Sequence, residues 1–377
     1  VPWNPVALEY WISPVDSHRE LLVVSRGTYG LTRLAPVTGE ILGYLQLPAE
    51  PGDALRVGNH LFVACSALDQ VVEVDLLTNT IWQTYEIDTT RHLLFLSADG
   101  LGNVLVTPLL SGNNTMPRRT AVAGEFANDP GGNILDMTNT ALADLALPDE
   151  DVFRVVPGAT PGTGHVEVAA KGVGTVLFAH GVNPVTGQLW VLNTQSINAD
   201  PVLDSEPEVK GLFSQNRLTL VDLPPVGGPP ATAHTFVSLD SVPPAPLGKP
   251  YQLSFGSNGA AVIIGALTDN ASVLAANGAH LASFTLPEGS IPRGVLFHES
   301  AQRLYVLNWG TNLIQVRSTN QPGLPVLATL DLGYDPTSPL RQEGRRIFYD
   351  GQNSLLDNLS CESCHVEGLF DHLTWNL

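Results

Sequence analysis

The stretch that decides the fold is Leu304-Tyr305-Val306-Leu307-Asn308, followed after a short turn by Leu313-Ile314-Gln315-Val316. Two short apolar runs separated by a turn predict two consecutive β-strands. Similar runs recur earlier in the chain, at Leu21-Leu22-Val23-Val24, Leu61-Phe62-Val63-Ala64, Val104-Leu105-Val106-Thr107, Leu189-Trp190-Val191-Leu192 and Ala261-Val262-Ile263-Ile264. Neighbouring runs lie about 40 residues apart where no insertion intervenes, which is the size of one four-stranded propeller blade.

Turn signals dominate the rest of the chain, which contains 35 Gly and 29 Pro. A helical period is convincing only near Ser338 to Phe348. We therefore predict an all-β fold, a β-propeller of about seven blades over residues 1–334, with six or eight blades as alternatives, and a short C-terminal helical segment over residues 335–377. Strand pairs place candidate blades at residues 20–48, 58–88, 91–125, 130–170, 175–240, 250–287 and 291–331.

A finer pattern appears where Leu61 to Cys65 leads into Val71-Val72-Glu73-Val74-Asp75, and again at Leu304 to Val316. It resembles the YVTN-type β-propeller repeat, in which an L-Y-V-x-N strand precedes x-V-x-V-x-D and a short turn. The resemblance extends over most of residues 15–332 and implies a ring of four-stranded blades.

The C-terminal segment contains Cys361-Glu362-Ser363-Cys364-His365, and C-x-x-C-H is the attachment sequence of a c-type haem. We therefore predict that residues 335–377 form a haem-binding segment. Cys361 and Cys364 would form two thioethers to one covalent haem c, and His365 would bind its iron. A zinc site that adds a fourth ligand such as His372 is the main alternative. A redox dithiol is a further one, although no strand and helix unit surrounds the motif.

The other composition signals concern compartment and partners. Cys65, the third cysteine, is expected to be a small buried apolar residue. The start at Val1 lacks an initiator Met and a signal peptide, so with the haem motif it suggests a processed, exported chain, periplasmic or extracellular. No apolar run is long enough to span a bilayer. A formal net charge of −19 argues against nucleic-acid binding and favours basic partners.

The segment after the propeller carries a second resemblance. Gly344, Phe348 and Asp350 match a G-x-x-x-F-x-D helix, and Ser360 to His365 match the S-C-x-x-C-H that follows it. Together they resemble the start of a cytochrome c domain of the di-haem peroxidase and MauG-like type. The resemblance implies that the helix covers one haem face with Phe348 near the ring, whereas ordinary helix packing is the alternative for Phe348. The second haem motif of that family is absent from these 377 residues.

Twelve residues follow His365, too few to wrap a porphyrin, so we expect the haem to be covered from outside residues 335–377. The haem could be covered by a continuation of the chain, by a face of the propeller or by another subunit. The sixth iron ligand stays open, since His372 lies too close in sequence and Met116 and Met137 fit core or loop positions better.

Two functions follow from these features. In the first, an exported haem protein transfers electrons to a redox partner protein or a neighbouring haem subunit, with the propeller as docking scaffold; any enzymatic role would be peroxidase-like oxidoreduction. In the second, the propeller serves binding or assembly and the haem segment is a structural tether. Acidic stretches at residues 149–151 and 204–208 suggest solvated loops rather than calcium sites.

Overall fold

The computed structural model describes residues 4–87, 91–111, 150–196, 214–333, 335–354 and 357–368. Within these ranges the chain forms antiparallel sheets and two helices, α1 (Pro339–Phe348) and α2 (Cys361–Cys364), with 3₁₀ turns at Gly351–Asn353 and Val366–Gly368. The helix expected near Ser338 to Phe348 is therefore confirmed as α1, which has Pro339 in its first turn and Arg345 and Arg346 in its last.

The strands form five sheets. The first sheet contains β1 (Pro5–Ile12), β2 (Arg19–Ser25), β3 (Gly30–Leu34) and β4 (Ile41–Gln46). The second contains β5 (Pro51–Val57), β6 (His60–Cys65), β7 (Gln70–Asp75) and β8 (Thr80–Glu86). The fourth contains β17 (Pro250–Phe255), β18 (Ala261–Gly265), β19 (Asn270–Leu274) and β20 (His280–Thr285), and the fifth β21 (Pro292–His298), β22 (Arg303–Asn308), β23 (Leu313–Ser318) and β24 (Val326–Asp331).

The third sheet is larger and has eight strands. They are β9 (Arg91–Ala98), β10 (Val104–Leu110), β11 (Val152–Val156), β12 (His165–Ala170), β13 (Val176–Val182), β14 (Leu189–Ser196), β15 (Ser214–Val221) and β16 (Thr235–Ser238). The pairing Leu110↔Val176 joins its two halves. The predicted third and fourth blades meet in its first half, because β10 pairs directly with β11. The predicted count of seven blades is not confirmed by this pairing.

The propeller-like arrangement itself is confirmed. The six apolar runs quoted above form β2, β6, β10, β14, β18 and β22, which are the second strands of successive sets of four. The first strands of these sets, β1, β5, β9, β13, β17 and β21, lie side by side in that order. Residues of five of these strands, β1, β5, β9, β17 and β21, line a cavity of about 390 Å³; they include Val6, Gly52, Phe95, Tyr251 and Arg293.

Burial follows from how the sheets stack. In β6, Leu61, Phe62, Val63 and Ala64 are all buried, because both faces of the second sheet are covered by neighbouring sheets. Packing of apolar faces on both sides supplies the free energy that single four-stranded sheets lack. Cys65 lies in the core between the first and second sheets, as expected, and burial raises the pKa of its thiol to about 12.

The first and fifth sheets each have one face with exposed apolar side chains, unlike the second sheet, which is covered on both faces. Leu8, Tyr10 and Ile12 lie on the face of β1 opposite Trp11, and 63 %, 43 % and 51 % of their surfaces are exposed. Leu296 of β21 and Leu330 of β24 are 55 % and 48 % exposed. Within the described ranges, no buried cluster joins the fifth sheet to the first. We call these two surfaces the uncovered faces.

Candidate haem-attachment site

The C-x-x-C-H motif forms a single helical turn with a defined start. Ser360 caps α2 by accepting a hydrogen bond from the Glu362 backbone N–H at 3.2 Å, and its own N–H donates to Ser363 Oγ at 3.1 Å. At the other end the His365 N–H donates to the Cys361 carbonyl oxygen at 3.1 Å. This reciprocal cap satisfies backbone groups that such a short helix leaves without intrahelical partners.

The turn separates two sets of side chains. Cys361 and His365 are exposed and Cys364 is half-buried, whereas Glu362 and Val366 are buried. Cys361 and Cys364, three residues apart in α2, share one face of the helical turn, and His365, which ends the turn, is exposed as Cys361 is. Glu362 and Val366 lie on the opposite side, against the propeller.

These residues fit a c-type haem. The two thiols are one helical turn apart on an accessible face, the imidazole follows on that face, and no disulfide joins the cysteines. Cys361 and Cys364 would form the thioethers and His365 would bind the iron, and the haem would supply one-electron redox chemistry.

The zinc alternative receives no support among the residues that the structure describes. No group of three or more His, Cys, Asp or Glu side chains there is arranged to hold a metal ion. His372, Met116 and Met137 lie outside the described residues, as do Asp149 and the acidic stretch 204–208. Of the other acidic stretch, Glu150 pairs with Lys171 at 2.8 Å and Asp151 accepts hydrogen bonds from Ser111 and Val173.

The inward side of the motif contacts the propeller through ionisable groups that the sequence did not reveal. The Lys249 ammonium, just before β17, contacts the Glu362 carboxyl group and lies 2.6 Å from Glu367 Oε1. The Arg293 guanidinium of β21 lies 2.5 Å from the same Glu367 oxygen. Glu362 Oε1 also accepts the Glu367 backbone N–H at 2.9 Å. We call Lys249, Arg293, Glu362 and Glu367 the clasp.

Burial and charge act differently on the two carboxyl groups. Burial raises the pKa of Glu362, and the Lys249 ammonium only partly opposes this effect. Burial also disfavours ionisation of Glu367, but Lys249 and Arg293 together outweigh it and lower its pKa to about 2. Glu367 is therefore ionised at neutral pH beside two cations.

Further contacts fix the chain that leads to the motif. The Asn358 amide donates to Asp240 Oδ1 at 2.9 Å, in the loop after β16, and the Gly351 N–H donates to the Leu267 carbonyl at 2.9 Å. Tyr349 is buried with Leu267 and Ile291, and Phe348 packs at the edge of that cluster. In the described structure Phe348 thus contacts the propeller, which is the ordinary packing alternative, while its predicted contact with a haem ring remains untested.

Among the described residues, no helix is long and apolar enough to cross a membrane. The propeller-shaped part of the chain is similar to several solved structures, whereas no protein-family model matches the chain and no curated protein is similar to it.

Streptogramin B lyase is 11 % identical, over 88 % of this chain and 84 % of that chain, with a TM-score of 0.55. Selenomethionine-substituted virginiamycin B lyase from Staphylococcus aureus is 10 % identical, over 88 % and 85 % of the two chains, with a TM-score of 0.55. A catalytically inactive variant of that lyase with quinupristin is 11 % identical, over 88 % of this chain and 85 % of that chain, with a TM-score of 0.56. These neighbours are β-propeller proteins, and at such identities the similarity shows the fold alone.

Proposed function

We propose that this chain is an exported c-type haem protein that transfers electrons, with the propeller as its scaffold. The observation that carries the proposal is the division of the motif into two sides. Cys361, Cys364 and His365 share the accessible side, while Glu362 and Val366 attach the turn to the propeller. A haem held there would be fixed to a rigid support and open to a partner.

Each residue has one role in this proposal. Cys361 and Cys364 hold the porphyrin covalently and His365 supplies one axial imidazole. Since the motif faces away from the propeller, the outer haem edge would be covered by other protein. We infer that this cover is a redox partner or a neighbouring haem subunit, and the acidic chain, at −19, favours a basic partner surface.

Two finer assignments belong to the same proposal. The first is that the propeller is of the YVTN type and that residues 335–377 begin a cytochrome c domain of the di-haem peroxidase type. The second concerns the blades: β9 to β12 and β13 to β16 are each four antiparallel strands, and we propose that each set is one blade.

The test is to export the protein in a bacterium that matures c-type cytochromes and to record its intact mass and its pyridine haemochrome spectrum. We expect the mass of one haem to remain on the denatured chain, and a Cys361→Ala/Cys364→Ala variant to lose it. His365→Ala should keep the thioethers and shift the Soret band. An unmodified wild-type mass with two free thiols would refute haem attachment. If zinc were bound to that unmodified chain, the motif would be a zinc site instead.

A covalent haem alone does not establish electron transfer. A reversible midpoint potential is required by that function and not by the tether, because only the former uses the redox chemistry of the haem. We expect protein-film voltammetry of the exported protein to give a reversible one-electron wave. A covalent haem that is redox-silent would leave the tether as the function.

A further inference from the structure

We propose that Lys249 and Arg293 are positioning residues of the haem site: through Glu362 and Glu367 they fix α2 on the propeller and so set how Cys361, Cys364 and His365 present the haem. This inference rests on the proposed function and extends it from the motif to the propeller. It assigns a role to residues that lie more than 70 positions away in sequence.

The geometry places the clasp directly behind the attachment residues. Glu362 stands between the two cysteines of the motif, and its side chain is 1 % exposed against Lys249, which is 3 % exposed. Glu367 follows His365 by two residues and bridges Lys249 and Arg293. One of the two carboxyl groups held on the propeller thus lies within the motif and the other lies just after it.

Aromatic rings enclose the two cations. The Lys249 ammonium lies 5.2 Å from the ring centre of Tyr251 and 5.6 Å from that of Tyr349. The Arg293 guanidinium lies 4.3 Å over Tyr251 and 5.3 Å over Trp309. These rings attract the cations by their π-faces. The attraction between Lys249 and Glu362, whose side chains are 3 % and 1 % exposed, is screened less than at the surface, whereas Glu367 is 25 % exposed and lines the cavity together with Arg293.

The backbone at the clasp shows the same constraint. Lys249 and Glu367 have φ values of +48° and +55°, a left-handed conformation that non-glycine residues rarely adopt. The Lys249 N–H donates to Asn216 Oδ1 at 2.9 Å, which helps to hold that conformation. Asn4, Glu50 and Ile291 have the same left-handed conformation directly before the Pro that begins β1, β5 and β21, so at Lys249 it belongs to the start of a first strand, and the fold holds the Lys249 backbone in place.

Loss of one partner would be felt at the motif. Without Lys249, Glu362 would be a buried carboxyl group that lacks its cation, and the turn would move outward to hydrate it. Because Glu362 shares one helical turn with Cys361 and Cys364, such a movement changes the haem orientation and its exposure to water. Both properties set the reduction potential of a haem.

The test compares Lys249→Met, Lys249→Arg and the double variant Lys249→Met/Glu362→Met with wild-type protein. Lys171→Met is the control for loss of a Lys–Glu pair on the propeller: Lys171 pairs with Glu150, at side-chain exposures of 38 % and 20 %, and has no ion pair with the motif. Hydrogen exchange of residues 357–368 is measured in the haem-free protein, and the midpoint potential and electron paramagnetic resonance spectrum in the haem-loaded protein.

We expect Lys249→Met to speed exchange of residues 357–368 by about tenfold or more, because the segment opens locally. It should also shift the potential and broaden the resonance spectrum. Lys249→Arg should retain most of the wild-type values, the double variant should recover part of the protection, and Lys171→Met should match wild type.

Several results would overturn the proposal. Unchanged exchange in Lys249→Met would show that the clasp does not hold the segment. Faster exchange with an unchanged potential and resonance spectrum would show a structural role only. If Lys249→Met does not fold, Glu367→Gln, which keeps shape and removes one charge, takes its place under the same criteria. A wild-type protein without haem would refute the proposed function, whereas the exchange data would still report on the clasp.

Discussion

The carboxylate of Asp53 in β5 accepts a hydrogen bond from the Leu96 backbone N–H in β9, at 2.9 Å, and so ties the second sheet to the third. It also accepts the Ala54 N–H at 2.8 Å. Burial raises the pKa of Asp53 to about 7, these two hydrogen bonds act against the shift, and the charge of Glu9 adds to it.

This shift predicts how stability depends on pH. Between the ordinary Asp value of 3.8 and about 7 the folded chain binds the Asp53 proton more tightly than the unfolded chain. The contribution of the protonated Asp53 to the free energy of unfolding is therefore full at acidic pH and is lost as pH rises through about 7. We expect the difference in melting temperature between pH 5 and pH 8 to shrink in Asp53→Asn, which removes the titrating group and keeps a hydrogen-bond acceptor, measured by circular dichroism. Glu40→Gln, at an exposed position, is the control, and equal shrinkage there would contradict the assignment.

His180 of β13 predicts a stability effect of opposite sign. It is buried, neither ring nitrogen has a hydrogen-bond partner in the described structure, and burial lowers its pKa to about 3. In the unfolded chain His180 takes up a proton near pH 6.5, whereas in the folded chain it stays neutral to about pH 3. The free energy of unfolding is therefore unaffected by His180 above pH 6.5 and decreases as pH falls from there toward 3. We expect His180→Leu to melt at or above the wild-type temperature and to lose less stability at pH 5.

Asn193 of β14 is the contrasting case for that variant. Its oxygen accepts from Arg217 at 2.9 Å and its amide donates to the Val191 carbonyl at 3.0 Å and to Thr219 at 2.8 Å. Asn193→Leu removes these three hydrogen bonds and leaves Arg217 only its bonds to Val173 and Gln195, and Thr219 its bond to the Val173 carbonyl, at a cost of about 1 to 3 kcal/mol. If both leucine variants lost the same stability in urea unfolding, the difference in hydrogen bonding would not be the cause.

Gly259 predicts a packing effect that can be separated from a backbone effect. Its φ is +79°, and an added Cβ would lie 2.7 Å from Asn183 Oδ1 and 2.9 Å from the Ala276 Cβ. Gly39 has a φ of +71° with nothing within 4 Å of the added atom. Gly39→Ala should cost roughly 1 to 2 kcal/mol from conformation alone. Gly259→Ala should cost clearly more in urea unfolding, and equal costs would contradict the close approach.

The uncovered faces predict dye binding. Contiguous exposed apolar side chains bind hydrophobic probes, whereas scattered ones do not. We expect 8-anilinonaphthalene-1-sulfonate to fluoresce with the folded protein and less so with Leu8→Lys/Leu330→Lys at unchanged melting temperature. Val37→Lys, at a turn residue that is 96 % exposed, should leave the fluorescence unchanged. A loss of signal in Val37→Lys alone would place the dye elsewhere.

The fold was predictable because its signal is local. Runs such as Leu61 to Ala64 are continuous in apolar residues since both faces of their sheet are covered, and each became the second strand of a set of four. The number of blades was not predictable from the sequence. It depends on the pairing of β10 with β11, which are separated by residues 112–149 and so make contacts distant in sequence.

The candidate site divides in the same way. Cys361, Cys364 and His365 are recognisable from spacing alone, since their chemistry requires one helical turn. Lys249 and Arg293 are single basic residues in ordinary strand contexts, and nothing in the sequence connects them to the motif. Glu362 and Glu367 were visible beside it, but a surface position would explain them equally well without coordinates.

The segment that carries C-x-x-C-H is bonded to three different sheets, through Asp240 after β16, Lys249 before β17 and Arg293 in β21. In evolutionary terms, the segment cannot be joined to or removed from a propeller without further substitutions. Moving the C-x-x-C-H segment to another propeller would bring the buried Glu362 and the partly buried Glu367 without their cations, and removing the segment would leave Lys249 and Arg293 on the propeller without their carboxyl groups. A lineage that gains or loses this segment must therefore change residues on both sides of the junction together.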